Sequence, residues 1–290
     1  MKSEDPFGLR PLWDASLEIY REIAKICDRH GLRYYATDGT ALGAVRHKGF
    51  IPWDDDLDMS MPRPDYEKFK RIATKELPSG LRFWDFRDEP KDIFLFGKVQ
   101  CVEKNRILAL EKQLGRTLSN GLFVDIFPID GYPMDKLECL RIRFITMVLL
   151  CIVRFRCTSL SKQSTKGKVA WFAGLMFSVI FPWLTQRRCL SVCEKCLLRH
   201  PFEMSEFTGR TCSSLNVFRR APLRREAWGG GTNVEFDCTR VHVPKDVDAH
   251  LRNEYYKWDY MQLPPESARH PTHTFSYHFP WWIGPTKIAP

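Results

Sequence analysis

Residues Asp38–Met61, DGTALGAVRHKGFIPWDDDLDMSM, open on a Gly-Thr turn and close on four carboxylates in five positions, Asp54, Asp55, Asp56 and Asp58. Acids this close raise one another's pKa unless positive charge sits among them. An extended chain here places Asp54, Asp56 and Asp58 on one face and Asp55 with Leu57 on the other, because side chains alternate along a strand. Backbone positions two apart on a strand are roughly 6–7 Å apart, near enough for the side chains to share a cation. Oxygen-only donors suit Mg²⁺ or Mn²⁺. The plainer alternative for a charge run is a solvated acidic turn, so the flanking sequence has to decide.

Upstream, Gly39-Thr40 follows an expected strand, Leu32 to Thr37, and opens a short apolar-periodic segment, Ala41 to His47. A glycine at such a turn lets backbone N–H groups approach a phosphate. Downstream, Leu122 to Phe127 is an apolar run broken by one acid, Asp125. A carboxylate inside a buried strand is unfavourable unless it is paired or metal-bound; a salt bridge to an arginine is the structural alternative to a ligand.

These pieces resemble the nucleotidyltransferase fold, in which a Gly-Ser/Thr turn accompanies an Asp-x-Asp pair and a third acid on a neighbouring strand. Asp56-Leu57-Asp58 corresponds to the pair and Asp125 to the third acid. The stretch GTALGAVRHKGFIPWDDDLDM, with Arg63 and the run Asp65 to Phe69 after it, is more specifically similar to the LicD family, relatives of fukutin. The resemblance returns at VDIFPIDG (Val124 to Gly131) and at Leu263 to Glu266, Arg269 and His273. It implies transfer of a phosphorylated alcohol, phosphocholine or a polyol phosphate, from a CDP-activated donor to a glycan or lipid-linked glycan. It also implies Mg²⁺ (or Mn²⁺) held by Asp56, Asp58 and Asp125, with Asp54 as an extra ligand or base. Gly39 and Thr40 would cradle a donor phosphate, with Arg46, His47 and Lys48 as nearby cations. Arg269 and His273 match the family's tail and are candidates for diphosphate contact, a salt bridge and a surface histidine being the bland alternatives. Where the family has Tyr-Gly-Asp, this chain reads Lys257-Trp258-Asp259, which changes the local turn and the standing of Asp259.

The net charge of +9 is unevenly placed. Between Arg141 and Arg199 there are eleven Lys and Arg against one acid, Glu194, and this basic segment is also the most apolar. Phe144 to Val153 and Val169 to Gln186 carry no charge; the first is too short to span a bilayer and the second sits at the lower limit, with Pro182 inside it. Cations flanking apolar helices fit a hairpin lying on an anionic membrane surface; a packed helical insertion and a true span are the alternatives. The start, MKSEDPFGLR, lacks the apolar core of a secretory signal. With ten cysteines, this predicts reduced thiols and a cytoplasmic protein, peripheral on the membrane. Cys189, Cys193 and Cys196 share one helical face, as small buried hydrophobes do, although with Cys212 they also make a zinc set.

Elsewhere the periodicity predicts helices over Leu12–His30, Tyr66–Leu77 and Val247–Tyr256, and strands over Leu81–Phe86, Ile93–Val102 and Val234–Val243. Lys98 faces a phosphate or solvent, and Gly229–Thr232 is a phosphate-approaching or plain loop. The expected architecture is α/β: a nucleotidyltransferase-like mixed sheet with flanking helices, built from 1–134 and 201–290, with a basic apolar helical insertion at 135–200. Two rivals stand beside the transferase. One is a nucleotidyltransferase proper, releasing pyrophosphate. The other is a non-enzymatic basic protein; because its charges bracket uncharged runs rather than interleave with aromatics, lipid is the expected partner and nucleic acid is not.

Overall fold

The computed structural model describes residues 3–89, 92–115, 118, 121–160, 165–210 and 222–271. His273 and Cys212 lie outside them. Helix α1 (Arg10–His30) buries Leu12, Trp13, Leu17, Tyr20 and Ile23, and it ends at Gly31, whose φ of 60° is the left-handed C-cap that glycine adopts freely. Strand β1 (Tyr35–Ala36) is shorter than the apolar run around it. Helix α2 (Asp38–Leu42) continues as a π-turn over Gly43–His47, stopped by Lys48 in the left-handed region at φ 58°. Strand β2 (Asp58–Pro62) leads into α3 (Arg63–Glu76), β3 (Leu81–Trp84), β4 (Gly97–Cys101), α4 (Lys104–Leu114) and β5 (Phe123–Gly131).

These strands form one mixed sheet in the order β1-β2-β5-β4-β3. The β2–β5 pair is parallel and the β1–β2, β5–β4 and β4–β3 pairs are antiparallel. One sheet face, with Met59, Met61, Val99, Val124 and Ile126, packs against α1 and α3 in the main core. The period of two therefore turns Asp58, Lys98 and Asp125 to the other face.

Three helices follow: α5 (Lys136–Cys157), α6 (Thr165–Ile180) and α7 (Gln186–Leu197). Ile142, Leu149, Ile152, Val153, Cys189, Leu190, Cys193 and Leu197 build a second apolar cluster with Phe86, Ile93–Phe96 and Phe127. The three α7 cysteines lie on its buried side, and burial pushes the Cys189 thiol up to about 11 and the Cys193 thiol up as well. Glu194 is turned back to the core domain, where it faces Arg63 and Arg87.

Strands β6 (Phe207–Gly209) and β7 (Leu223–Arg224) extend the far end of β5. The alternating run to Val243 is two strands, not one: β8 (Thr232–Phe236) and β9 (Thr239–Val243) form a hairpin that reverses at Asp237, φ 53°. Helix α8 (Val247–Glu254) completes the order. Among the described residues no helix is long and apolar enough to cross a membrane.

Candidate active site

The parallel ladder between β2 and β5 sets Asp58 directly opposite Asp125, and the antiparallel ladder sets Lys98 opposite Asp125 in turn. Three neighbouring strands thus deliver two acids and a lysine to one row of the sheet. Asp54 to Leu57 lie outside the ladder, so the expected strand begins only at Asp58. The alternation survives without the strand: Asp55 and Leu57 are buried, whereas Asp54, Asp56 and Asp58 are partly exposed. This irregular lead-in lets Asp54, Asp55 and Asp56 bring carboxylate oxygens within 4.8 Å of one another, a grouping that alternation alone does not provide.

The loop is held from both sides. Trp13 Nε1 of α1 donates to the Asp54 carbonyl at 2.7 Å, and its ring stacks on Phe50 at 4.9 Å. The Asp58 N–H donates to Thr40 Oγ1 at 2.9 Å, so the threonine of the Gly-Thr turn pins the start of β2. Gly39 lies against the Asp54 side chain: an added Cβ would sit 2.3 Å from Asp54 Oδ2. The turn and the acid cluster are in contact, and a glycine is what permits it.

Burial raises the Asp58 carboxyl well above its ordinary range; the charges of Asp56, Asp125 and Asp54 push the same way, and Lys98 opposes them. Asp58 therefore feels the charge of the other three candidate acids. Their oxygen-only donor set and surplus negative charge fit a divalent cation such as Mg²⁺ or Mn²⁺.

Lys98 does not face solvent. Its ammonium is buried, ion-paired with Asp125 and ringed by Phe123, Phe96 and Phe94 at 3.8, 5.2 and 5.7 Å. Asp125 is thus paired with a lysine directly opposite it on the adjacent strand β4, where an arginine was the structural alternative. Asp92, absent from the sequence argument, belongs to the same neighbourhood. Its Oδ1 accepts the Ile93 and Phe94 N–H groups, its Oδ2 is buried with no hydrogen-bond partner among the described residues, and burial raises its carboxyl to about 7, against the pull of Lys98. Only the fold brings Asp92 near Lys98, and no local pattern announces it.

The residues next to the turn differ in how they are engaged. Arg46 donates to the carbonyls of Tyr260 and Gln262 at 2.7 and 3.0 Å, tying the C-terminal segment to the loop. His47 meets Trp53 edge-on, and burial followed by the Arg46 charge lowers it to about 4, so at neutral pH it carries no charge. Lys48 is exposed, at the left-handed end of the turn. Arg269 lies over the Trp53 ring at 5.8 Å and donates to the Pro264 carbonyl, beside the acidic loop. Asp259 is exposed and accepts the Met261 N–H, capping its own turn. The triple-glycine loop is anchored at two carbonyls, Gly229 accepting the Tyr35 hydroxyl and Gly230 contacting the His242 ring, while Gly230 and Thr232 stay exposed. Two further groups were missed. Tyr255 interacts with Asp54 and Asp58, burial being the main cause of its raised pKa, and Arg210 pairs with Asp38 at the head of α2.

A mixed sheet whose central parallel pair presents two acids, with a Gly-Thr helix start packed on a third, defines a nucleotidyltransferase-like protein. Residues 31–138 match the family model for the LicD/FKTN/FKRP nucleotidyltransferase domain. Over that stretch the chain is similar to the LicD family. It is 25% identical over 259 residues to the lipopolysaccharide cholinephosphotransferase LicD of Haemophilus influenzae, spanning 89% of this chain and 92% of that one. It is also 30% identical over 90 residues to the ribitol 5-phosphate transferases FKRP of human and mouse, 31% of this chain but only 18% of theirs.

Proposed function

We propose that this protein is a phosphotransferase that moves a phosphorylated alcohol, phosphocholine or a polyol phosphate, from a CDP-activated donor to a hydroxyl of a cell-surface glycan or glycolipid precursor. The observation that supports the reading is the facing of Asp58 and Asp125 on the sheet side turned away from the main core, beside a loop in which Asp54, Asp55 and Asp56 bring carboxylate oxygens within 4.8 Å of one another and Gly39 lies against Asp54. The relatives' own activities, transfer of choline phosphate and of ribitol 5-phosphate, support the substrate class.

In the reaction the acceptor oxygen forms a bond to the donor's β-phosphorus while the bond to the leaving CMP breaks, and the acceptor proton passes to a base. Positioning and charge neutralisation dominate such chemistry. Asp56, Asp58 and Asp125, with Asp54 and Asp55 at hand, would hold Mg²⁺ or Mn²⁺. A divalent ion there supplies charge to the donor phosphates and lowers the pKa of the acceptor hydroxyl. Asp54, the carboxylate in contact with the turn, is the candidate base. Gly39 and Thr40 would cradle a donor phosphate, and Thr40 keeps the start of α2 aligned with β2. Lys98 balances the Asp125 charge while the cluster holds no cation, and Arg269, on the Trp53 ring, is the cation placed to meet a diphosphate.

The deciding experiment incubates the purified protein with CDP-choline, CDP-ribitol and CDP-glycerol plus Mg²⁺ and a glycan acceptor, and measures CMP. CMP release dependent on Asp56 and Asp58 is expected from at least one donor. Pyrophosphate release from a nucleoside triphosphate, with no CMP from any donor, would replace this reading by that of a nucleotidyltransferase proper.

A further inference from the structure

Helix α6 is built inside out for a helix in water. Its outer stripe is Val169, Phe172, Met176 and Val179, which are 69, 51, 64 and 73% exposed. Its inner side, against α5, carries small groups: a Cβ added at Gly174 would lie 2.0 Å from the Cys151 carbonyl oxygen, and the Ser178 hydroxyl is buried with no hydrogen-bond partner among the described residues. Large apolar residues outward and small residues at the helix contact are the pattern of helices whose outer solvent is lipid; a surface helix in water shows the reverse. The α5 stripe that α6 covers at Cys151 and Phe155 continues towards the N-terminus as Leu137, Leu140, Phe144 and Met147, all exposed. The uncovered apolar surface thus runs from one helix on to the other, and surfaces of this kind mark interaction sites.

Charge identifies what covers it. Arg141, Arg143, Arg156, Lys168, Arg187 and Arg188 are exposed around this surface. The two acids within the three helices are engaged, Glu194 with Arg63 and Arg87, and Glu138 with His200. Trp183, 57% exposed just past the end of α6, has its carbonyl bonded by Arg188, and an exposed Trp beside arginines is what helices at a membrane–water boundary carry. With 16 residues, α6 is too short to cross a bilayer. We propose that α6 and the N-terminal half of α5 form a monotopic docking face for an anionic lipid bilayer, with α6 lying in the plane of the headgroups and its outer stripe among the acyl chains.

The test is sedimentation of the full chain with vesicles of phosphatidylglycerol and phosphatidylcholine, and with phosphatidylcholine alone, at low and moderate salt. Retention on the mixed vesicles is expected, at least ten-fold stronger than on neutral ones and weakened by salt. Phe172→Glu with Val179→Glu, both outward and exposed, should lower binding at least ten-fold with unchanged circular dichroism; Arg187→Gln with Arg188→Gln should lower it several-fold. Failure to bind anionic vesicles at low salt would overturn the proposal. So would a stable dimer in solution that the glutamate pair dissociates, since a second copy would then be the occupant. Neither result requires donor or turnover, so the assay is independent of the phosphotransfer reading.

Discussion

At Gly39 a single methyl group decides whether the turn and the acid cluster fit together. Gly39→Ala would force Asp54 out of its position while helix propensity gains up to about 1 kcal/mol. Transfer should fall at least ten-fold with a melting temperature that is unchanged or higher, a divergence that thermal melts and CMP release together reveal. Asp58 makes a related point through electrostatics. Its folded pKa is raised, so its contribution favours folding at low pH and is lost as pH rises through the folded value. Asp58→Asn should therefore stabilise the metal-free protein at pH 8, have little effect near pH 4, and abolish transfer. Mg²⁺ should stabilise the wild type by about 2.7 kcal/mol at a hundred times its dissociation constant, and this gain should vanish in Asp58→Asn; calorimetry with and without a chelator measures both. A wild type that Mg²⁺ leaves unchanged would contradict metal binding by these acids.

Between elements, the strongest link is the buried pair of Arg63, at the start of α3, and Asp130, near the end of β5. The guanidinium binds both carboxylate oxygens, at 2.7 and 2.8 Å, and also lies 3.6 Å from Glu194 of α7. Removing either partner alone leaves a buried charge, so Arg63→Ala or Asp130→Ala should destabilise by about 3–5 kcal/mol, and Arg63→Met with Asp130→Leu by much less. Urea unfolding of the three variants checks the ordering. At this scale several elements were legible: the stripe over 12–30 and Gly31 match α1 within two residues, and β5 contains VDIFPIDG, whereas α4 was not foreseen. The strands were less so. Ile93–Val102 was expected as one strand, yet only Gly97–Cys101 pairs, because Ile93 to Phe96 turn into the second apolar cluster beside α5 and α7. The β8–β9 reversal at Asp237 lacks the glycine or asparagine that usually marks a hairpin. In the acid site, Asp56, Asp58 and Asp125 were recognisable because a motif carries them. Asp92 and the lysine partner of Asp125 were not, because contacts across a sheet leave no trace in neighbouring residues.

For the molecule as a whole, the segment after 200 closes over the site as well as extending the sheet. Arg46 holds residues 260 and 262, Arg269 covers Trp53, and His250 of α8 accepts the Asp38 N–H at 3.4 Å. His250 is buried and lowered to about 4, chiefly by burial. A histidine with a depressed folded pKa supports folding above its unfolded value near 6.5 and loses that support as pH falls towards 4. The wild type should thus melt progressively earlier between pH 6.5 and pH 4, and His250→Gln should flatten that slope; melting curves at half-unit steps decide it.

Because β2 and β5 run side by side in the same direction, their pairing is set by the αβ segment between them and not by a tight turn. A shift of one residue would send Met59 where Asp58 stands and turn the carboxylate into the oily interior. Substitutions of Met59 or Ile126 that loosen this alignment are therefore candidates for silencing the enzyme without touching a single acid.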